Sequence, residues 1–170
     1  MRPVVRILAV PGSLQQGSSN AALLRIARDR ANDAIEVVLF DRLADVPPFS
    51  PDTEPAPAVI DEWRALVASA DGVLIATPEY AHGLPGVLKN ALDWLVGSGD
   101  LYGKRVAILS AAPSAQRAVH ARADLERTLR AQGAEVVSSE TLAVPTGARG
   151  READDPDVVA GVDRALKALA

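Results

Sequence analysis

Two polar loops of the sequence carry residue types that could bind a cofactor. The first, Gly12 to Asn20, reads GSLQQGSSN and offers hydroxyl groups, a carboxamide and free backbone N–H groups ahead of a predicted helix. Unsatisfied donors and the dipole at a helix amino terminus favour an anion, so this loop suits a phosphate group. An ordinary capping loop rich in serine and asparagine has the same composition, and the residues of this loop alone do not separate the two interpretations.

The first loop also lacks the signatures of two familiar nucleotide sites. It has no lysine of the P-loop type, so nucleoside triphosphate hydrolysis is unsupported. It does not contain the G-x-G-x-x-G spacing of dinucleotide-binding folds either. A phosphorylated ligand of another kind is the chemistry that this loop suits.

The second loop follows the apolar run Gly72 to Ala76 and ends where a helix begins at Pro85. Pro78 restricts the backbone of this loop, while Gly83 and Gly86 let it approach a flat group closely. In open α/β sheets, ligands bind in the crevice outside the carboxyl ends of the strands. We therefore expect this loop to hold a cofactor.

Short apolar runs alternate with amphipathic helical patterns along the chain. The apolar runs predict strands at 4–10, 36–41, 72–76, 105–110 and 135–142. Helical periodicity predicts helices at 20–32, 58–70, 85–97 and 115–132, and a last helix carrying Val158, Val162, Leu166 and Leu169. The stretch 46–57, with prolines at 47, 48, 51, 55 and 57, predicts a stiff surface loop that is either a functional rim or a plain connector.

This alternation indicates one doubly wound α/β domain over residues 1–170, with a parallel sheet and helices on both faces. One sheet order with a switch point is 2-1-3-4-5, the flavodoxin-like arrangement, which places the loops after Val10 and Ala76 side by side. A receiver-like domain would give the same string of elements. The sequence pattern alone therefore does not prove the order.

Composition excludes several functional classes. The 170 residues include no cysteine, which removes disulfides and thiol catalysis, so any redox chemistry must come from a bound cofactor. The net charge of −4 argues against nucleic acid or an anionic membrane as the main partner. The apolar run Val4 to Val10 is too short to span a membrane and is not followed by a cleavage-site pattern, so we expect a soluble cytoplasmic protein.

Both loops match the pattern of one family. The chain resembles the NADPH-dependent FMN reductases, flavodoxin-like oxidoreductases whose first loop reads G-S-L-R-x-x-S-x-N and whose third reads P-E-Y-N-x-x-x-P-G-x-L-K-N-x-I-D-W. The resemblance extends from Val4 to about Pro113. It implies a three-layer flavodoxin-like fold, FMN as cofactor, and NADPH or NADH as co-substrate.

The resemblance also implies which residues contact the flavin. The FMN phosphate would be held by Ser13, Ser18 and Asn20. The isoalloxazine ring would be lined by Pro78, Glu79, Tyr80, Ala81, His82 and Gly83, and approached by Ser110 to Pro113 from the end of the fourth strand. Gln15 stands where the family commonly has Arg, and Ala81 stands where it has Asn, so weaker FMN binding is expected.

Other polar residues have simpler interpretations than catalysis. Glu79 could act as a general base, but a role in loop shape or subunit contacts is favoured because the sequence shows no polar partner for it. His82 and His120 are interpreted as surface residues, although His82 could contact flavin or substrate. Structural roles are also preferred for Lys89, Asn90, Asp93 and Trp94, and helix capping is preferred over metal binding for Asp154, Asp155 and Asp157.

By this resemblance the chain is expected to be an FMN-dependent NAD(P)H oxidoreductase that passes hydride to a small acceptor in a ping-pong cycle. The acceptor would be a quinone, a free flavin or another electrophile, and no side chain need act as acid or base. Two alternatives are an FMN electron carrier and a cofactor-free assembly domain. The resemblance further implies a homodimer or homotetramer, with the helix from Pro85 to Leu95 at the subunit boundary.

Overall fold

Five parallel strands form one sheet in the order β2-β1-β3-β4-β5. The computed structural model describes residues 4–54 and 56–170, so the predicted loop position at Pro55 and the segment 1–3 lie outside the described residues. The strands are β1 (Val5–Pro11), β2 (Ile35–Leu39), β3 (Gly72–Ala76), β4 (Arg105–Ala112) and β5 (Glu135–Ala143). The predicted order 2-1-3-4-5 is confirmed, and the predicted span of β3 matches to the residue.

Helices cover both faces of the sheet. They are α1 (Ser19–Asp29), α2 (Ala58–Ser69), α3 (Gly86–Asp93), α4 (Val119–Ala131) and α5 (Pro156–Leu169), with short 3₁₀ turns at Leu43–Asp45 and Glu152–Asp154. One apolar core joins α1 and α5 to the sheet, and a second joins α2, α3 and α4 to its other face. All five residues of β3 are buried, as a strand covered on both faces requires.

The register of the central strands brings the two polar loops together. Pro11 at the end of β1 lies opposite Ala76 at the end of β3, and the Gly12 N–H donates to the Ala76 carbonyl at 2.7 Å. A Cβ atom on Gly12 would lie 2.5 Å from the Cβ of Thr77, so only glycine fits this approach. The switch point between β1 and β3 is therefore a tightly packed contact between the two loops.

Helix ends differ from the sequence prediction where caps set them. Helix α1 begins at Ser19 because the Ser18 side chain accepts the Ala21 N–H, and it ends at Asp29 rather than Asn32. Helix α3 begins at Gly86, with Pro85 as its cap rather than its first residue. Helix α4 begins at Val119 rather than Ala115, after Ala118 in a left-handed conformation. Strand β2 starts and stops earlier than predicted, and β4 continues two residues further.

The proline-rich loop at 46–57 is pinned by α3. The Asn90 carboxamide and the Trp94 indole N–H both donate to the Pro47 carbonyl, at 2.8 and 2.9 Å. The Asn90 carbonyl also accepts the Phe49 N–H at 2.8 Å, and the Phe49 ring meets Trp94 edge-on. Asn90 and Trp94 thus hold the loop in place, as their structural interpretation proposed.

Candidate functional site

A cavity of about 380 Å³ opens at the carboxyl edge of the sheet, within the size range of small-molecule sites. Four connections contribute to it: loop one (residues 12–18), loop three (77–85), loop four (113–118) and loop five (144–151), together with the start of α1 and the end of β4. We call it the ligand cavity; its lining is Gln15, Ser18, Ser19, Asn20, Pro78, Tyr80, Ala111, Ala112, Pro113, Val144, Pro145, Thr146, Gly147 and Arg149.

The lining of the ligand cavity combines anion-binding and apolar character. Arg149 is the one charged residue among the described residues that line it, and none of those residues carries a carboxylate, although the protein carries a net charge of −4. Hydroxyl and carboxamide groups come from loop one, α1 and loop five, while Pro78, Tyr80 and the segment 111–113 supply apolar surface. This chemistry suits a ligand with an anionic end and a flat apolar end.

Two of the predicted phosphate ligands on the first motif already have partners within the chain. The Ser18 hydroxyl accepts the Ala21 N–H at 3.1 Å and caps α1. The Asn20 side chain is 6% exposed and clamps Ala111, accepting its N–H at 2.8 Å and donating to its carbonyl at 3.5 Å. Asn20 therefore fixes the end of β4 against α1, and Ser18 retains its hydroxyl hydrogen for donation.

A buried carboxylate ties loop five to the start of α1. Glu152 is 3% exposed; its Oε1 accepts the Ser19 hydroxyl at 2.6 Å and its Oε2 accepts the Gly150 N–H at 2.8 Å. Burial raises the pKa of Glu152, but these hydrogen bonds and the charge of Arg25 outweigh it and hold the pKa below its ordinary value. The Ser19–Glu152 pair thus sets where loop five meets the ligand cavity.

Loop three ends in a tight two-residue turn. Tyr80 and Gly83 exchange both backbone hydrogen bonds at 3.0 Å, and the two residues between them, Ala81 and His82, have φ of 49° and 60°. Positive φ at both central positions is the type I′ geometry, which favours Asn and Gly. Ala81 therefore occupies a strained position where the family's Asn would be relaxed, and Tyr80 next to it is 51% exposed.

Glu79 acts as a cap for α4 rather than as a base. Its Oε2 accepts the N–H groups of His120 and Ala121 at 2.9 and 3.1 Å, and its Oε1 lies 3.5 Å from Nδ1 of His82. Burial raises the pKa of Glu79, but the two backbone hydrogen bonds and both histidines lower it by more, so the carboxylate is charged at neutral pH. The His82 and His120 side chains are both exposed, as the sequence analysis expected, and their rings meet edge-on at 5.0 Å.

The ligand cavity unites part of the predicted set. It brings together Gln15, Ser18, Asn20, Pro78 and Tyr80. Ser13, Glu79, Ala81, His82, Gly83 and Ser110 do not line it. The Ser110 hydroxyl is fully buried and donates to the Thr77 carbonyl at 2.7 Å, so it holds loop three against β4. Ser13 instead lines a second cavity of about 360 Å³, which shares Gln15 and is flanked by Arg25 and Arg28.

Loop five and Glu152 were not predicted from the sequence. The rule that parallel strands end at one edge of the sheet applies to β5 as it does to β1 and β3, so the segment PTGARG after β5 could have been recognised. The hydrogen bond between Ser19 and Glu152 has no local signal in the sequence, because 133 residues separate them.

Asp155 caps α5 by accepting the N–H groups of Asp157 and Val158, in agreement with the capping interpretation of this acidic run.

Comparison with known proteins decides the family. The sequence model of the family described as NADPH-dependent FMN reductase matches residues 5–149. The chain belongs to this family. Its fold is that of the family's NAD(P)H-dependent flavin and quinone reductases, and the resemblance first seen in the two loop motifs is confirmed.

Individual relatives agree with this family assignment. A quinone reductase from Escherichia coli (strain K12) is 37% identical over 113 residues, 64% of this chain and 60% of that protein. An NAD(P)H-dependent FMN reductase from Pseudomonas aeruginosa is 33% identical over 129 residues, 74% of this chain and 69% of that protein. The chain thus spans less than two thirds of the length of the E. coli relative.

Solved structures agree on the fold. A flavoenzyme NAD(P)H:(acceptor) oxidoreductase from Paracoccus denitrificans has a TM-score of 0.77 at 24% identity, over 98% of this chain and 97% of that chain.

Within residues 4–54 and 56–170, no helix has the length and apolar character needed to cross a membrane. The same residues contain no group of three or more His, Asp or Glu side chains placed to hold a metal ion.

The ligand cavity fits FMN by the chemistry of its lining. An anionic phosphate suits the donors around the start of α1 and the guanidinium of Arg149, and no carboxylate among the described lining residues opposes it. A flat ring system suits the apolar surface that Pro78 and Tyr80 contribute to the lining. The chemistry of the described lining is therefore compatible with both ends of FMN.

Proposed function

We propose that this protein binds FMN in the ligand cavity and uses it to carry hydride from NADPH or NADH to a small electron acceptor. The acceptor classes are quinones, free flavins and other small electrophiles. The observation that carries the proposal is a donor-rich cavity whose described lining residues include no carboxylate, built by four loops at the sheet edge of an FMN reductase family member. Family membership supports the cofactor and the co-substrate.

The proposed flavin contacts follow from the lining. The phosphate lies at the start of α1, near Gln15 and the hydroxyl hydrogen of Ser18. The ring lies along Pro78 and Tyr80. Ala81 and His82, in the turn of loop three, do not line the ligand cavity. Their backbone N–H groups have no acceptor within the described part of the chain. These N–H groups are therefore available to the edge of the flavin ring.

Of the other proposed contacts, Gly83 and Glu79 fix this turn, Ser110 fixes its base, and Ser13 lies on the outer side of loop one. Their part in binding is therefore to hold the two loops in position. None of them presents a side chain to the ligand cavity. We propose these four residues, with Ala81 and His82, as the frame of the site.

Bound FMN supplies the chemistry of accepting and returning a hydride. The protein binds and orients, and the described residues of the cavity include no side chain placed as a general acid or base. Glu79 is held in its charged form by the α4 amides, so it does not serve as a proton donor at neutral pH. One open cavity serves NAD(P)H and the acceptor in turn, which predicts ping-pong kinetics.

The test has two stages. The purified full chain, incubated with FMN and dialysed, is expected to keep the absorption spectrum of a bound flavin. Initial velocities of NADPH and NADH oxidation are then measured against a panel of quinones and free flavins, and parallel double-reciprocal lines are expected. Protein that retains no flavin would refute the proposal in favour of a cofactor-free domain. Flavin without turnover would favour an electron carrier, and intersecting lines would refute the ping-pong cycle.

We also propose that the protein is a homodimer or homotetramer in the cytoplasm. Two large apolar side chains next to α3, Phe49 and Val96, are 40% and 59% exposed, which supports an interface at that helix. Light scattering coupled to size exclusion measures the oligomer. A monomer at micromolar concentration would contradict the interface.

A further inference from the structure

Within the described part of the chain, Arg149 is the one cationic residue that lines the ligand cavity, and it does not belong to the loop that carries the family's motif. Loop one has Gln15 where the family commonly has Arg, so it contributes no positive charge to the cavity. We infer that Arg149, on loop five, supplies the cationic contact to the FMN phosphate. This inference rests on the proposed function, because it concerns the same cofactor in the same cavity.

Arg149 shares the cavity wall with the groups proposed to face the phosphate. Gln15, Ser18 and Ser19 line the same cavity, whereas the nearby carboxylate of Glu152 is turned to Ser19 and Gly150 and does not line it. Arg149 is exposed and forms no ion pair with any described residue. Its guanidinium is therefore available to an anion that enters the cavity.

The backbone around Arg149 is held by a set of hydrogen bonds. The Ala148 N–H donates to the Pro145 carbonyl and the Arg151 N–H donates to the Ala148 carbonyl, both at 3.0 Å. The Gly150 N–H donates to the buried Glu152 carboxylate at 2.8 Å, and that carboxylate accepts the Ser19 hydroxyl. Loop five is thus fastened to the first turn of α1, which holds the backbone of Arg149 at the wall of the ligand cavity.

This arrangement moves the charge from one loop to another. A phosphate at the start of α1 would interact with the helix dipole and with neutral donors of loop one. The full positive charge beside it would be the Arg149 guanidinium on loop five. Arg149 then acts on the phosphate and not on the ring. Its contribution to binding should appear with FMN and disappear with riboflavin, which has the same ring without phosphate.

The experiment measures flavin binding rather than turnover. The full chain and the Arg149→Gln and Arg149→Lys variants are titrated with FMN and with riboflavin by quenching of flavin fluorescence. The expected Kd of Arg149→Gln for FMN is about tenfold higher than that of the wild type, the lower end for a hydrogen bond to a charged group because Arg149 is exposed. Its Kd for riboflavin is expected to stay unchanged, and Arg149→Lys is expected to keep most of the affinity for FMN.

Two further variants complete the design. Arg130→Gln removes an exposed arginine of α4 that does not line the cavity, and it is expected to bind both flavins as the wild type does. The double variant Gln15→Arg with Arg149→Gln returns the charge on loop one and is expected to recover FMN affinity. Raising the salt concentration is expected to weaken FMN binding to the wild type more steeply than to Arg149→Gln.

The outcomes separate this inference from the proposed function. Wild-type protein that binds FMN with the same Kd as Arg149→Gln would overturn the role of Arg149 and leave the FMN site standing. An equal loss of FMN and riboflavin affinity would also overturn it, because that pattern marks a structural role. Wild-type protein that binds neither flavin would overturn the proposed function itself.

Discussion

Replacing Glu152 with Gln tests whether a buried carboxylate fastens loop five to α1. The wild-type carboxylate accepts two hydrogen bonds, from the Ser19 hydroxyl and the Gly150 N–H. Hydrogen bonds to a charged group contribute about 1.5–3 kcal/mol each, whereas a neutral one contributes about 1 kcal/mol. Glutamine keeps one acceptor and turns an N–H toward the second donor, so we expect a loss of about 2 kcal/mol in the free energy of unfolding at pH 7.

The pH dependence of this loss provides a sharper readout. The pKa of Glu152 in the folded protein lies below its ordinary value of 4.5, so the charged form is the one that folding stabilises. Its contribution is fully present above pH 4.5 and is lost as the pH falls through the folded-state pKa. The stability difference between wild type and Glu152→Gln is therefore expected to be constant at neutral pH and to shrink in acid.

Urea unfolding of both proteins between pH 7 and pH 3 measures this difference. Glu36→Gln is the matched control, because Glu36 is 57% exposed and lies 3.7 Å from Arg6, and we expect it to change stability by less than about 0.5 kcal/mol. If Glu152→Gln were no less stable than the control at pH 7, the fastening role of the carboxylate would be refuted. If the difference in the free energy of unfolding between wild type and Glu152→Gln stayed constant down to pH 3, the conclusion that folding stabilises the charged form of Glu152 would be refuted.

Three further substitutions test other parts of the site. Ala81→Gly should raise the free energy of unfolding by about 0.5–1 kcal/mol, because it relieves a positive φ, and thermal unfolding measures it. Gly12→Ala should lower stability by about 1–3 kcal/mol and weaken flavin binding, since its Cβ would overlap Thr77; unchanged stability would contradict the close packing. Glu79→Gln should cost about 1 kcal/mol and speed amide exchange at His120 and Ala121, and slow exchange there would show that another group caps α4.

The sheet could be predicted from the sequence because each strand has a local signal. The run Gly72–Ala76 is apolar throughout and bounded by turn residues, and its predicted limits match the structure. Helix limits were less accurate because distant groups help to set them. Helix α4 starts at Val119, where Glu79 accepts the first free N–H groups from 41 residues away, and no local pattern records that contact.

The loops that form the candidate site could be predicted from the motifs. Which of their side chains are already hydrogen-bonded within the chain could not be predicted. Asn20 has the type and position of a phosphate ligand, yet its carboxamide is committed to Ala111, 91 residues away. Glu79 has the type of a base, yet two amides and two histidines hold it charged. A motif specifies residue types along the chain. The hydrogen bonds that the polar side chains of those residues form depend on how the whole edge of the sheet packs.

The site therefore contains two classes of polar group that should respond differently to substitution. Asn20, Ser110 and Glu79 have their hydrogen bonds satisfied within the chain, so they hold the loops and leave little for a ligand. Gln15 and Arg149 line the cavity with donors to spare. Loss of a group in the first class should lower stability and FMN affinity together, because the loops move. Loss of a group in the second class should lower FMN affinity alone, since the fold does not depend on it.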